Sequence, residues 1–163
     1  MTDNAVSDTG PFIHLNEVSL LKSLNIFKSI SIPPEVKKEL IKNNTPISKK
    51  INVINLNKKW RLLTQIIANK FEIGLGESEA IALCLQEKAD YFLTDDLDAR
   101  ETAKYYNIKT HGTIGVILGS FRKNLIDKKN TITKLNEIYE KSSLFITKEL
   151  INSAISEVNN FKK

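Results

Sequence analysis

The sequence predicts an α/β fold: a central, mostly parallel sheet with helices on both faces and further helices at the C-terminus. Three observations carry this. Short apolar runs alternate with segments of helical periodicity along the whole chain, the pattern of strands joined by right-handed crossovers. Two of the short runs end abruptly in acidic turns. No repeat, low-complexity tract or linker interrupts the 163 residues, so a single domain over 1–163 is expected.

The elements follow in order. Residues 5–7 read as a buried strand, closed by Asp8-Thr9-Gly10-Pro11, with Pro11 suited to the first position of a helix. Phe12, Ile13, Leu15, Val18, Leu20, Leu21 and Leu24 continue that helix at helical spacing. Residues 27–32 alternate apolar and polar like a strand, which Pro33-Pro34 ends. Residues 35–41 read as a helix with Val36 and Leu40 inward, broken by Asn43-Asn44-Thr45-Pro46. Ile51, Val53, Ile54 and Leu56 suggest a weaker strand, and residues 60–68 a helix. Gly74-Leu75-Gly76 reads as a hinge into a strongly amphipathic helix over 77–87. A short strand over 91–93 leads into Thr94-Asp95-Asp96-Leu97-Asp98, then a helix over 99–106 and a last strand over 108–110. Gly112-Thr113-Ile114-Gly115 opens a helix to Arg122, and two amphipathic helices, around 135–139 and 150–158, fill the tail from about 131.

Composition narrows the function classes. The net charge of +5 permits a polyanionic partner, with modest clusters at Lys37, Lys38 and Lys42, at Lys49 and Lys50, and at Lys58, Lys59 and Arg61. There is no Arg-rich run and no aromatic stripe. The single cysteine, Cys84, excludes an internal disulfide and a cysteine zinc site, and two histidines, His14 and His111, argue against an imidazole metal site. Cys84 reads as mid-helix packing and the histidines as structural or phosphate-contacting. Met1-Thr2-Asp3-Asn4 is polar, unlike a signal peptide, and no apolar run approaches a membrane span. A cytoplasmic protein is expected.

Open α/β sheets bind ligands beyond the carboxyl ends of their strands, and two acidic clusters fall there: Asp8, and Asp95-Asp96. Glu77 opens its helix and shares a face with Ala80, Ile81 and Cys84; Glu39 precedes the inward Leu40. Singly, each has a plain structural reading: Asp8, Asp95 or Asp96 as a helix cap, Glu77 as a complement to the helix dipole, Glu39 on a solvated face. Jointly they form a carboxylate cluster whose repulsion needs a cation or shared protons. An all-oxygen donor set selects Mg²⁺ or Mn²⁺, which beside a phosphodiester supplies charge neutralisation and water activation.

Five segments in order carry a family resemblance. They are Val6-Ser7-Asp8-Thr9-Gly10-Pro11-Phe12-Ile13, then Ile32-Pro33-Pro34-Glu35-Val36-Lys37-Lys38-Glu39-Leu40, then Gly76-Glu77-Ser78-Glu79-Ala80-Ile81-Ala82-Leu83. Leu93-Thr94-Asp95-Asp96 with Ala99-Arg100 follows, and last His111-Gly112-Thr113-Ile114-Gly115-Val116. Across nearly its whole length the chain resembles the PIN-domain nucleases, nearest to the VapC-like toxin ribonuclease branch. The resemblance implies a three-layer α/β/α sandwich and a Mg²⁺- or Mn²⁺-dependent endoribonuclease, the toxin of a toxin–antitoxin pair. It places catalytic acids at Asp8, Glu39, Glu77 and Asp95, and metal ligands at Asp8, Glu77, Asp95 and Asp96; Asp95 and Asp96 exchange with a one-residue shift. Substrate contacts are expected from Thr9, Arg100 and Thr113. Expected partners are RNA, a small antitoxin protein and a second copy of the chain. Many relatives carry Ser or Asn where this chain has Gly10.

Two other readings compete with this one. A PIN scaffold with weakened catalysis would serve as a binding module. Asp8-Thr9-Gly10 is also the aspartic-protease triplet, but that fold is all-β and glycine-rich, whereas this chain has six glycines and long helical patterns.

Overall fold

The computed structural model describes residues 3–162; Met1 and Thr2, where the segment read as lacking a signal peptide begins, lie outside the described residues, as does Lys163. Five strands form one all-parallel sheet: β1 (Asn4–Ser7), β2 (Ser29–Ile32), β3 (Ile51–Val53), β4 (Tyr91–Leu93) and β5 (Thr110–His111), in the order β3-β2-β1-β4-β5. The described helices are α1 (Thr9–Glu17), α2 (Pro34–Lys42), α3 (Lys58–Phe71), α4 (Leu75–Glu87), α5 (Leu97–Tyr105), α6 (Thr113–Arg122), α7 (Lys128–Lys141) and α8 (Lys148–Asn160). The fold is the expected α/β/α sandwich, and its helix content disposes of the aspartic-protease reading. No described helix is long and apolar enough to cross a membrane.

Side-chain alternation in the strands divides the core. Ala5, Ile30, Ile32 and Leu93 face a layer made by α1, α2, α6, α7 and α8, with Phe12, Leu40, Ile117, Leu135 and Ile151 among its buried residues. Val6 and Phe92 face the opposite layer, where α3, α4 and α5 contribute Ile67, the run from Ala80 to Cys84, and Ala103.

The chain winds from β1 outward to β2 and β3, then crosses back to β4 and β5 on the other side of β1. The winding therefore reverses between β1 and β4, where such sheets open a crevice at their carboxyl edge. The backbone N–H of Asp8 donates to the carbonyl of Leu93 at 2.9 Å, which ties the ends of these two strands together.

Several expectations need correction. Helix α1 starts at Thr9, capped by Asp8, so Pro11 sits in its first turn rather than at its first position. The periodic run through Leu24 is two elements: α1 ends in a Schellman turn, with Leu20 N–H donating to the Leu15 carbonyl at 2.8 Å and Ser19 at φ 54°. A 3₁₀ segment, Leu21–Ile26, follows. Helix α4 is not amphipathic but buried on nearly every side from Gly76 to Cys84, because α3 lies over the face turned away from the sheet. The last strand falls one to two residues later than expected, at Thr110–His111.

Candidate active site

The two strand ends at the reversal carry Asp8 and the Asp95-Asp96 pair. Side chains from α1, α2, α4 and the start of α5 converge on the same place. Together they line an open pocket of about 690 Å³ that contains Asp8, Glu39, Glu77, Asp95 and Asp96. Thr9 and Gly10 lie in its wall, and residues 143–145 of the α7–α8 loop close one side.

Asp8 is buried at the pocket's base. One carboxylate oxygen accepts from the Thr9 N–H at 2.7 Å and the other from the Thr94 hydroxyl at 3.2 Å. Burial pushes its carboxyl up to about 7; the like charges of Glu77 and Glu39 add to this, and the two hydrogen bonds only partly offset it. Glu77 is half-buried, and its carboxyl is raised by burial and by the charges of Glu39 and Asp96. Like charge thus reaches Asp8 from Glu77 and Glu39, and Glu77 from Glu39 and Asp96.

Glycines make room for two of these acids. Gly74 and Gly76 both have negative φ, so the hinge reading of this segment is not needed. A Cβ on Gly76 would lie 2.9 Å from Oε1 of Glu39, and one on Gly74 would collide with the Glu77 carboxylate. Their missing side chains let both carboxylates lie against the start of α4. Glu39 is steadied further by the Thr9 hydroxyl, which donates to its Oε2 at 2.5 Å.

Asp95 is engaged differently. Its Oδ1 accepts from the Thr113 N–H at 2.7 Å; its Oδ2 accepts from the Thr113 hydroxyl at 2.5 Å and from His14 Nδ1 at 2.7 Å. Burial alone would raise its carboxyl, but these bonds outweigh it and hold Asp95 below the ordinary carboxylate value. Gly112 offers α6 no side-chain cap, and Asp95 serves as one from the end of β4. Asp96 caps α5, its Oδ1 accepting from Ala99 N–H at 2.7 Å, and is otherwise exposed.

The residues expected to contact substrate fall in different surroundings. Thr113 is fully buried and its hydroxyl is bound to Asp95; Thr9 is buried too and its hydroxyl is bound to Glu39. Both position carboxylates. Arg100 lines a neighbouring cleft rather than the carboxylate pocket, and its Nε donates to the Thr94 carbonyl at 3.1 Å.

The expected metal set is only loosely gathered. Among the described residues no group of three His, Cys, Asp or Glu stands close enough to hold an ion. Sequence reasoning also missed three features of the site. Asp98 lies on the pocket rim, His14 buttresses Asp95, and the α7–α8 loop forms a wall. Asp98 carried a signal, since it stands in the same acidic run as Asp95 and Asp96; the loop carried none.

A parallel α/β sandwich with carboxylates gathered at its sheet reversal places the chain among α/β proteins whose site lies at the carboxyl edge of the sheet. Residues 4–160 match the family model described as the PIN domain, and the chain belongs to that family, whose members are generally nucleases. No curated protein matches the chain significantly.

Proposed function

We propose that this PIN domain is a divalent-metal-dependent endoribonuclease. The observation that carries the reading is the convergence of Asp8, Glu39, Glu77 and Asp96 in one pocket, with Asp8 raised to about 7. A site that holds so many carboxylates against their repulsion is short of positive charge. The donor set is oxygen only, which fits Mg²⁺ or Mn²⁺. Mg²⁺ keeps several waters and commonly takes only one or two protein carboxylates, so a pre-formed cage of three is not required. Asp8, with Glu77 or Asp96 across the pocket, would hold the ion. When bound, it supplies Lewis-acid polarisation of the phosphoryl oxygen and activation of water.

The chain's own residues have distinct tasks in this reading. Asp8 is fixed by Thr9 and Thr94, so its carboxylate is pre-oriented. Thr9 aims Glu39, while Asp95, held by His14 and Thr113, locks α1, β4 and α6 around the pocket. Cleavage of single-stranded or looped RNA should require Mg²⁺ or Mn²⁺ and cease in EDTA. Full cleavage in EDTA would sink the metal mechanism.

The toxin role rests on the VapC-like sequence resemblance alone. Under it, expression of the active chain without a protein partner arrests growth, and a co-expressed small antitoxin relieves the arrest. Unimpaired growth with verified active protein would count against it.

A second reading, a catalytically silent binding module, is favoured by Gly10, which lines the pocket without the hydroxyl or amide that Ser or Asn would place there. Calorimetric titration with Mn²⁺ separates the two: the nuclease takes up the ion at the pocket and Asp8→Asn weakens it, whereas a silent module shows no such site.

A further inference from the structure

Phe145 is 98% exposed and Leu97 is 75% exposed, the extremes among the large apolar side chains. Both line the carboxylate pocket, and both line a second cleft of about 470 Å³ beside it that also holds Arg100 and His111. An exposed phenylalanine returns nothing to folding. Its presentation is nevertheless built. The loop around it is anchored on α1, where the Ser143 N–H donates to the Glu17 carboxylate at 2.8 Å. Thr147 closes the other end by accepting from the Leu150 N–H at 3.3 Å as the cap of α8. Leu144 and Ile146, on either side, pack on the core. Phe145 is therefore held outward between two inward neighbours.

We propose that Phe145 is a stacking platform for a nucleobase of a single-stranded RNA, next to the phosphate that lies in the carboxylate pocket. This rests on the nuclease reading and adds the means by which the strand is held. The pocket's carboxylates offset the charge of the ion they would hold, so contacts on its rim add to the affinity for a strand. A neutral ring does this without regard to charge, and every base offers it a π-face. Arg100 in the adjoining cleft complements the charge of the next phosphate, and the cleft runs on directly from the candidate active site.

The test is fluorescence anisotropy with a labelled single-stranded oligoribonucleotide of mixed sequence. It uses the Asp8→Asn protein with Mg²⁺, so that the strand is not cut. Adding Phe145→Ala should weaken binding about tenfold or more, the range of one base–aromatic stack. Phe145→Trp should keep the affinity. The salt dependence should not change in slope, because no counterion is released by a neutral ring. In a further series, one base at a time is replaced by an abasic sugar. Abasic substitution at one position should cost affinity while Phe145 is present and cost nothing more once Phe145→Ala has removed the ring. Unchanged affinity in Phe145→Ala overturns the proposal. So does an equal loss against every abasic strand, which marks a structural role. Sedimentation that shows a dimer dissolving in Phe145→Ala, with RNA affinity intact, assigns the ring to a second copy of the chain and also overturns it. If the parent protein binds no RNA and the wild-type chain with Mg²⁺ neither binds nor cuts it, the nuclease reading itself falls, an outcome distinct from the other three.

Discussion

At the scale of single residues, Asp95 and Asp96 are neighbours with opposite circumstances. Asp95 has both oxygens engaged by His14 and Thr113 and lies below the ordinary carboxylate range, whereas Asp96 uses one oxygen on Ala99, is exposed, and lends its charge to Glu77. Asp8 yields the sharpest prediction. Its folded value of about 7 exceeds its ordinary 3.8. Between these values the folded chain binds more protons than the unfolded one, so the stability from this group is complete below about pH 4 and is lost as pH rises through about 7. Asp8→Asn keeps an acceptor for the Thr9 N–H and removes the charge. In EDTA at pH 8 it should be more stable than wild type by roughly 2–4 kcal/mol, the scale of the pKa displacement. At about pH 4 the two should melt together. Mg²⁺ should stabilise wild type more than the variant, since a ligand of the folded state adds stability with its affinity. Thermal melts over pH with and without Mg²⁺ check each part. A variant less stable than wild type at pH 8 without metal would make Asp8 chiefly a helix cap.

At the scale of elements, helix ends show how local chemistry and packing divide the work. Several helices close with a left-handed residue and a six-to-one bond: Ser19 with Leu20 to Leu15, Asn44 with Thr45 to Leu40, Asn107 with Ile108 to Ala103, and Asn124 with Leu125 to Ser120. The asparagines are legible as terminators; Ser19 is not, which is why α1 reads as too long. Helices α7 and α8 are integral to the core, with Leu135, Ile138 and Ile151 buried in the same cluster as Ile32, Leu40 and Leu93. Ile151→Ala should therefore lower the unfolding free energy by about 2–4 kcal/mol, as for other buried truncations. Urea denaturation measures this, and a change within a few tenths of a kcal/mol would show α8 to be peripheral.

At the scale of the whole molecule, charge is arranged in two tiers. The net charge is +5, yet the site itself is acidic. Lys37, Lys38 and Lys42 are exposed on α2, the helix that carries Glu39. If these lysines guide RNA, its affinity should fall with salt at about 0.7 log units per log unit of salt for each phosphate contacted. Replacing all three by alanine should flatten that slope while leaving the metal dependence of cleavage intact. Filter binding over a salt series measures it, and a salt-independent affinity for the parent protein would argue against a polyanionic partner.

The alternation of apolar runs and helical segments is a local property, written in side-chain periodicity, and it makes the α/β class and most elements readable from the chain alone. The positions of Asp8, Asp95 and Asp96 after strands are readable for the same reason, since strand ends are set by nearby residues. Three-dimensional packing decided the rest. Whether α4 is half-exposed or enclosed depends on α3 lying across it. Asp95 is tied by His14, far away in the chain, and Glu39 reaches the site because Gly76 leaves space on another helix. The outward Phe145 depends on a loop anchored to Glu17. Each of these turns on contacts between segments distant in sequence, for which a linear pattern carries no register; only the closing of the sheet brings them within bonding distance.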